Sequence, residues 1–210
     1  MAKQWLKVMI AVVLVVQARP SHAQAYGQFT AADCVPMGGH LFGGYLHASE
    51  NFLGLLAQLR LSFYPNVDFG FQGGLTRTDL GSQDVTTLRV GGDLKCQVAK
   101  GGAMDVAIGA ALGVETGDNI HLLTLGPSVT VSHSFGKAGG AGVTPYGGLG
   151  LMFTNADIFD RQTTDFAIPF RFGAEFRLAP ELRLLAELQL RASDQYSDDF
   201  AFVTGVNLPF

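Results

Sequence analysis

The chain has 210 residues, a formal net charge of −4 and 15% charged residues, against ~25% in an average soluble domain. Its 27 glycines are in excess, yet they lack the Gly-X-Y period of collagen. An acidic balance without clustered Lys and Arg excludes nucleic acid as a partner, and no later apolar run reaches the ~18 residues of a membrane-spanning helix.

In chain order, the N-terminus reads as a secretory signal. Lys3 and Lys7 form a basic region, Val8 to Val16 a short apolar run, and Ser21-His22-Ala23 a small-x-small cleavage site; Ala23-Gln24-Ala25 has the same spacing. We place the signal peptide at residues 1–23. Its removal takes away Lys3, Lys7 and Arg19 and moves the net charge from −4 to −7. Residues 24–38, with Cys34 after Asp33, are expected to be an N-terminal periplasmic segment ahead of one domain spanning 39–210. A secreted chain that is poor in charge, rich in glycine and devoid of a spanning helix fits the outer membrane.

From Gly39 onward the period is two, the signal of strands. Strands are predicted near 39–47, 52–64, 67–78, 85–98, 104–116, 120–135, 143–154, 166–178, 182–192 and 199–210. The pair 166–178 and 182–192 is clearest. Phe166, Ile168, Phe170, Phe172, Ala174, Phe176 and Leu178 share one face, Arg171, Glu175 and Arg177 the other, and Ala179-Pro180-Glu181 supplies a tight turn. Connections alternate in kind, and the longest on the second side are Asn155 to Asp165 and Ser193 to Asp198. The expected fold is all-β: a closed, antiparallel, up-and-down transmembrane β-barrel of ten strands, or eight if the glycine-broken 39–47 segment stays out.

Two points decide which face turns outward. The polar face carries glycines such as Gly70, Gly74, Gly91, Gly109, Gly113 and Gly173, as the narrow interior of a small barrel requires. The apolar face is uniformly large (Leu55, Leu59, Leu61, Ile108, Leu112, Leu149, Phe170) and suits lipid. The interior is therefore predicted to hold Arg60, Arg89, Asp93, Lys95, Asp105, Glu115, Arg171, Glu175, Arg177, Arg183, Glu187 and Arg191. Opposite charges confined there should pair, because an unpaired buried charge is costly. Phe63, Tyr64, Phe135, Tyr146 and Phe176 would mark the periplasmic rim, and Phe52, Phe153, Phe166 and Phe200 the outer rim.

Phe200, Phe202, Thr204, Val206, Leu208 and Phe210 alternate to a final Phe. This segment resembles the terminal strand that the barrel-assembly machinery recognises, with Phe202, Val206, Leu208 and Phe210 as the signal. Pro145 to Leu151 (PYGGLGL) and Pro180 to Glu187 (PELRLLAE) likewise resemble strands of the small OmpA/OmpX-like outer-membrane β-barrel superfamily. The resemblance implies insertion as a barrel, with assembly machinery, outer-membrane lipids and lipopolysaccharide as partners. It implies no shared activity.

Catalytic and metal constellations are weak. His133 and Ser134 are neighbours on a strand and point to opposite faces. His40, His47 and His121 lack ligand spacing. Asp194, Asp198 and Asp199 read as a solvated loop, and Gly91-Gly92 and Gly147-Gly148 as strand glycines. No catalytic residue, cofactor or metal is assigned. Cys34 and Cys96 could form a disulfide in an oxidising compartment, although Cys96 falls on the lipid-facing register. The expected function is a non-enzymatic role in membrane integrity, structure or surface interaction. A narrow solute pore and a lipid-modifying enzyme are the alternatives.

Overall fold

A pleated chain turns successive side chains to opposite faces, so a two-residue period becomes a strand with one greasy and one polar side. The computed structural model describes residues 27–50, 52–79, 84–101, 103–136, 141–159, 161–193 and 199–210, and no helix occurs among them. The strands are β1 (His40–Ser49), β2 (Phe52–Tyr64), β3 (Val67–Asp79), β4 (Asp84–Ala99), β5 (Asp105–Gly117) and β6 (Ile120–Ser132). They continue as β7 (Phe135–Gly136), β8 (Gly142–Gly150), β9 (Met152–Ile158), β10 (Arg161–Ala179), β11 (Leu182–Ser193) and β12 (Asp199–Pro209).

β1 to β6 pair antiparallel in succession, as do β10 to β12, and β12 returns to β1, so the sheet closes. His40 and Phe210 exchange two backbone hydrogen bonds of 3.0 Å at that seam. β8 and β9 occupy one stave between β6 and β10 in a continuous register, while β7 is a two-residue extension paired with β8. The result is a ten-stave barrel; the eight-strand alternative falls because the 39–47 segment is a full member, bonded on both sides. Closure abolishes the unpaired edges of an open sheet.

Two-residue turns fix the register at both ends. Asn66 (φ 61°) links β2 to β3, and Asn119 (φ 58°) links β5 to β6. Asparagine is among the few residues that adopt this left-handed conformation readily. One expected loop is corrected. Asn155 to Asp165 is mostly strand, since β9 and β10 pair from Met152–Ala167 out to Ile158–Arg161. Asn155, Asp157 and Asp165 sit on a continued hairpin, where alternation outweighs their loop preference. The Ser193–Asp198 loop, with Asp194 and Asp198, lies outside the described residues apart from Ser193.

The barrel is apolar outside and polar within. Leu53, Leu55, Phe71, Leu75, Val90 and Leu112 are each more than half exposed, whereas Arg60, Asp68 and Lys95 are fully buried. Two of the expected rim aromatics instead point inward. Phe52 packs on the buried His47 ring at 4.6 Å, and Tyr146 donates to Glu187 at 2.6 Å. Strand parity decides this: 146 shares the face of Gly148 and Gly150, and 52 that of Gly54. A small apolar cluster of Val85, Ile120, Leu122 and Ala156 also lines the inside, toward the end away from His40.

The strand pattern leaves residues 27–38 outside the wall, and residues 27–35 run through the lumen that the wall encloses. Phe29, Ala31 and Ala32 are fully buried. Phe29 adopts a positive φ of 42° and packs on Tyr45 with ring centres 4.6 Å apart. The segment leaves the barrel beside Ser62, whose carbonyl accepts from Gly38 N at 2.8 Å.

Candidate functional site

The lumen gathers most of the charge, and the internal segment passes through it. Arg60 on β2 is the centre. Its Nε donates to Asp68 Oδ1 at 3.1 Å, and its Nη2 and Nη1 reach Asp93 Oδ1 and Oδ2 at 2.8 and 3.2 Å. Nη2 also bonds Asp68. A planar guanidinium can serve two carboxylates in this way because its donors form a fixed fork. Gly70 permits the approach: a Cβ there would lie 2.2 Å from Asp93 Oδ2 and 2.7 Å from Arg60 Nη1.

Lys95 binds the segment itself. Its ammonium donates to Thr30 Oγ1 at 3.0 Å, to the Ala31 carbonyl at 3.1 Å and to the Asp33 carbonyl at 2.7 Å, with Asp68 at 3.6 Å. Asp68 in turn accepts from Val35 N at 3.1 Å. Across the lumen Glu175 accepts from Ala31 N, and Ser132 Oγ accepts from Ala32 N at 3.1 Å. Gln72 and Asn207 donate to the Gly27 and Phe29 carbonyls at 2.9 and 3.1 Å. A buried backbone must find partners. Here side chains from β2, β3, β4, β6, β10 and β12 take the place of a neighbouring strand.

The other interior charges form smaller groups. Glu175 pairs with Arg183 at 3.3 Å, and Arg183 lies 3.6 Å from Asp33. Glu187 accepts from Tyr146 and Gln189 and stands 3.6 Å from Arg171. Asp165 receives Arg191 and, at 2.6 Å, Ser193 Oγ. Glu115 accepts from Thr76 at 2.8 Å and from Thr87, and it stands directly opposite the buried Arg89 in the β4–β5 register. Arg177 is half-buried opposite Arg183. Asp105 sits at the His40 end, where it accepts from Gly101 N at 2.9 Å.

Thus the predicted interior residues occur in several clusters rather than one network. Asp68 escaped the sequence reading although it shares the face of Gly70, and Asp165 escaped it because it fell in an expected loop. Phe29 to Val35 carry no alternating signal and could not have been placed.

The assembly-signal residues Phe202, Val206, Leu208 and Phe210 lie on the outward register of the closing strand. The cysteine bridge is absent. The Cys34 sulfur lies inside, 3.3 Å from the Asn66 carbonyl and 3.8 Å from that of Lys95, whereas Cys96 faces outward across the wall. Burial pushes the Cys34 thiol up to about 11, partly opposed by Lys95. The histidines stand apart: His40 stacks on Phe210 at 5.2 Å, His47 is buried, and His121 bonds Thr116 at 2.9 Å. Ser134 bonds Thr144 at 3.0 Å, while the His133 ring packs on Phe135.

Beneath the segment, at the His40 end, opens a cavity of about 570 Å³ lined by Asp33, Lys95, Lys100, Asp105, Glu181 and Arg183.

Known structures share this architecture. The β domain of the Bordetella autotransporter BrkA matches at a TM-score of 0.53 and 14% identity, over 82% of this chain and 99% of that one. An outer membrane channel from Pseudomonas putida F1 matches at 0.50 and 13%, over 90% and 100%. LpxR from Salmonella typhimurium matches at 0.50 and 9%, over 90% and 80%. The fold is an outer-membrane-type β-barrel. No family model and no curated protein matches the sequence. At these identities the likeness concerns the fold alone, and barrels of this kind do different work.

Proposed function

We propose that the chain is an occluded outer-membrane barrel with a structural, membrane-integrity or surface-interaction role, neither catalytic nor steadily conducting. One observation carries the reading: residues 27–35 run through the lumen and are hydrogen-bonded to six strands around it. The outer membrane is argued from the outward leucines and phenylalanines, which are stable against hydrocarbon and insoluble in water. On this reading the His40 end faces the periplasm, outer-membrane lipids and lipopolysaccharide surround the wall, and the barrel-assembly machinery engages β12. The signal peptide at 1–23 supplies export.

Planar-bilayer recording tests the proposal. The intact chain should give no steady single-channel steps, and loss of the host gene should raise sensitivity to detergents. Steady steps from the intact chain would instead favour a pore. The specific observation behind that second reading is the charged 570 Å³ cavity, which resembles a vestibule. A change in lipid A or phospholipid on overexpression would favour an enzyme.

A further inference from the structure

The wall has one irregular patch. Pro127 in β6 stands opposite Leu151, and Pro169 in β10 opposite Gly150, so both seams of the β8/β9 stave lose a ladder donor at the same level. Leu151 N still donates to the Pro127 carbonyl at 3.0 Å, which holds the stave in register. Proline is avoided within a sheet, all the more where no water can replace the lost bond. The neighbouring staves also approach Gly150 closely here. A Cβ on Gly150 would lie 3.1 Å from Pro169 and 3.2 Å from the Pro127 carbonyl.

Each side of this patch is hollow. Outside lies a groove of about 560 Å³, floored by Ala110 and Pro127 between Leu94, Ile108, Val129 and Leu149. Inside lies a cavity of about 50 Å³ bordered by Gln28, Thr124, Ser128 and Arg171. The two hollows share Pro127, Ser128, Gly150 and Leu151, and so adjoin at the same piece of wall. Arg171 is 5% exposed. Its Nη2 donates to Thr130 at 2.9 Å, but Nη1 has no hydrogen-bond partner and the nearest carboxylate oxygen, on Glu187, is 3.6 Å away. Glu187 is already served by Tyr146 and Gln189. A buried guanidinium nitrogen that its neighbours leave without a hydrogen bond can take an anionic acceptor.

We propose that this patch is a lateral binding site for a long-chain fatty acid, with its chain in the outer groove and its carboxylate meeting Arg171 through the proline-interrupted wall. The groove offers only apolar contact, which an acyl chain satisfies. The inner cavity has room for a carboxylate or a few waters, and not for a phosphorylated sugar or a glycerophosphate. The single unpartnered guanidinium hydrogen-bond donor matches one small anion.

The test uses the full chain refolded in phosphatidylcholine vesicles at pH 9. Photolysis is carried out with diazirine-stearic acid or its methyl ester, and adducts are mapped by mass spectrometry. The acid should label peptides containing residues 106–112, 127–131 and 147–151, and stearate should compete where methyl stearate does not. The ester should label the whole apolar belt evenly. Arg171→Met should cut the acid's localised adducts at least fivefold. Ala110→Leu fills the groove from the lipid side without touching the lumen and should do the same, which keeps the test decisive should the Arg171 variant fail to fold. Even labelling by the acid, or localised adducts that survive Ala110→Leu, would overturn the proposal.

Discussion

Arg60 shows at the scale of one residue how a narrow lumen is stabilised. It is fully buried, and two aspartates on neighbouring strands neutralise it. Removing one partner of such a group leaves buried charge uncompensated, at a cost of about 3–5 kcal/mol. Arg60→Met should therefore lower the urea midpoint of the refolded barrel, read by loss of the compact band on unboiled gels. Cys34 gives a prediction in pH. With the thiol pushed from an ordinary 9.0 to about 11 by burial, the thiolate fraction at pH 8 falls roughly a hundredfold. In a Cys96→Ser background, iodoacetamide should alkylate folded protein about that much more slowly than unfolded protein. The sign for stability follows. The folded thiol keeps its proton to higher pH than the unfolded one, so its contribution is constant below about pH 9 and declines as pH rises from about 9 to about 11.

Elements here are hairpins, and their turns set the register on which every inward and outward assignment depends. Asn66 is instructive because it does more than turn the chain. Its φ of 61° closes β2 onto β3, and its carbonyl accepts from Gln97 N at 2.8 Å and lies 3.3 Å from the Cys34 sulfur. A β-branched residue resists this conformation by roughly 1–2 kcal/mol, whereas glycine adopts it freely. Asn66→Val should accordingly destabilise the barrel by about that amount and Asn66→Gly should be close to neutral, as measured by equilibrium unfolding in vesicles.

For the whole molecule, the decisive property is an inverted distribution of polarity. Leu112, near the middle of β5, is 54% exposed on the outer face, and Leu53, near the turn into β2, is 58% exposed. In water the two would be equivalent surface leucines. In a bilayer the energetic cost of charge depends on depth, at about 2–4 kcal/mol for arginine at the midplane and about 0–1 near the interface. Leu112→Arg should thus destabilise the vesicle-inserted barrel by that larger amount and Leu53→Arg by the smaller. Equal, negligible effects on a protein that stays dissolved without detergent would refute the membrane reading.

The alternating segments carried the strand positions, the ten-stave count and the side on which Arg60, Glu175 and Arg183 would lie, because parity along a pleated strand is a local property. The same parity would have turned Tyr146 and Phe52 inward, had it been preferred to the expectation of aromatic girdles. What the sequence by itself determined was therefore the wall. Only the tertiary structure decided what the wall encloses. Residues 27–35 have no period of their own, and their place is set by Lys95, Asp68, Glu175 and Asn207, contributed by strands up to 178 positions away. Such partners meet only once the sheet has closed. The pairing of Pro127 with Pro169 across one stave and the separation of Cys34 from Cys96 have the same origin, since each depends on which strands become neighbours and which side of the closed sheet a side chain occupies.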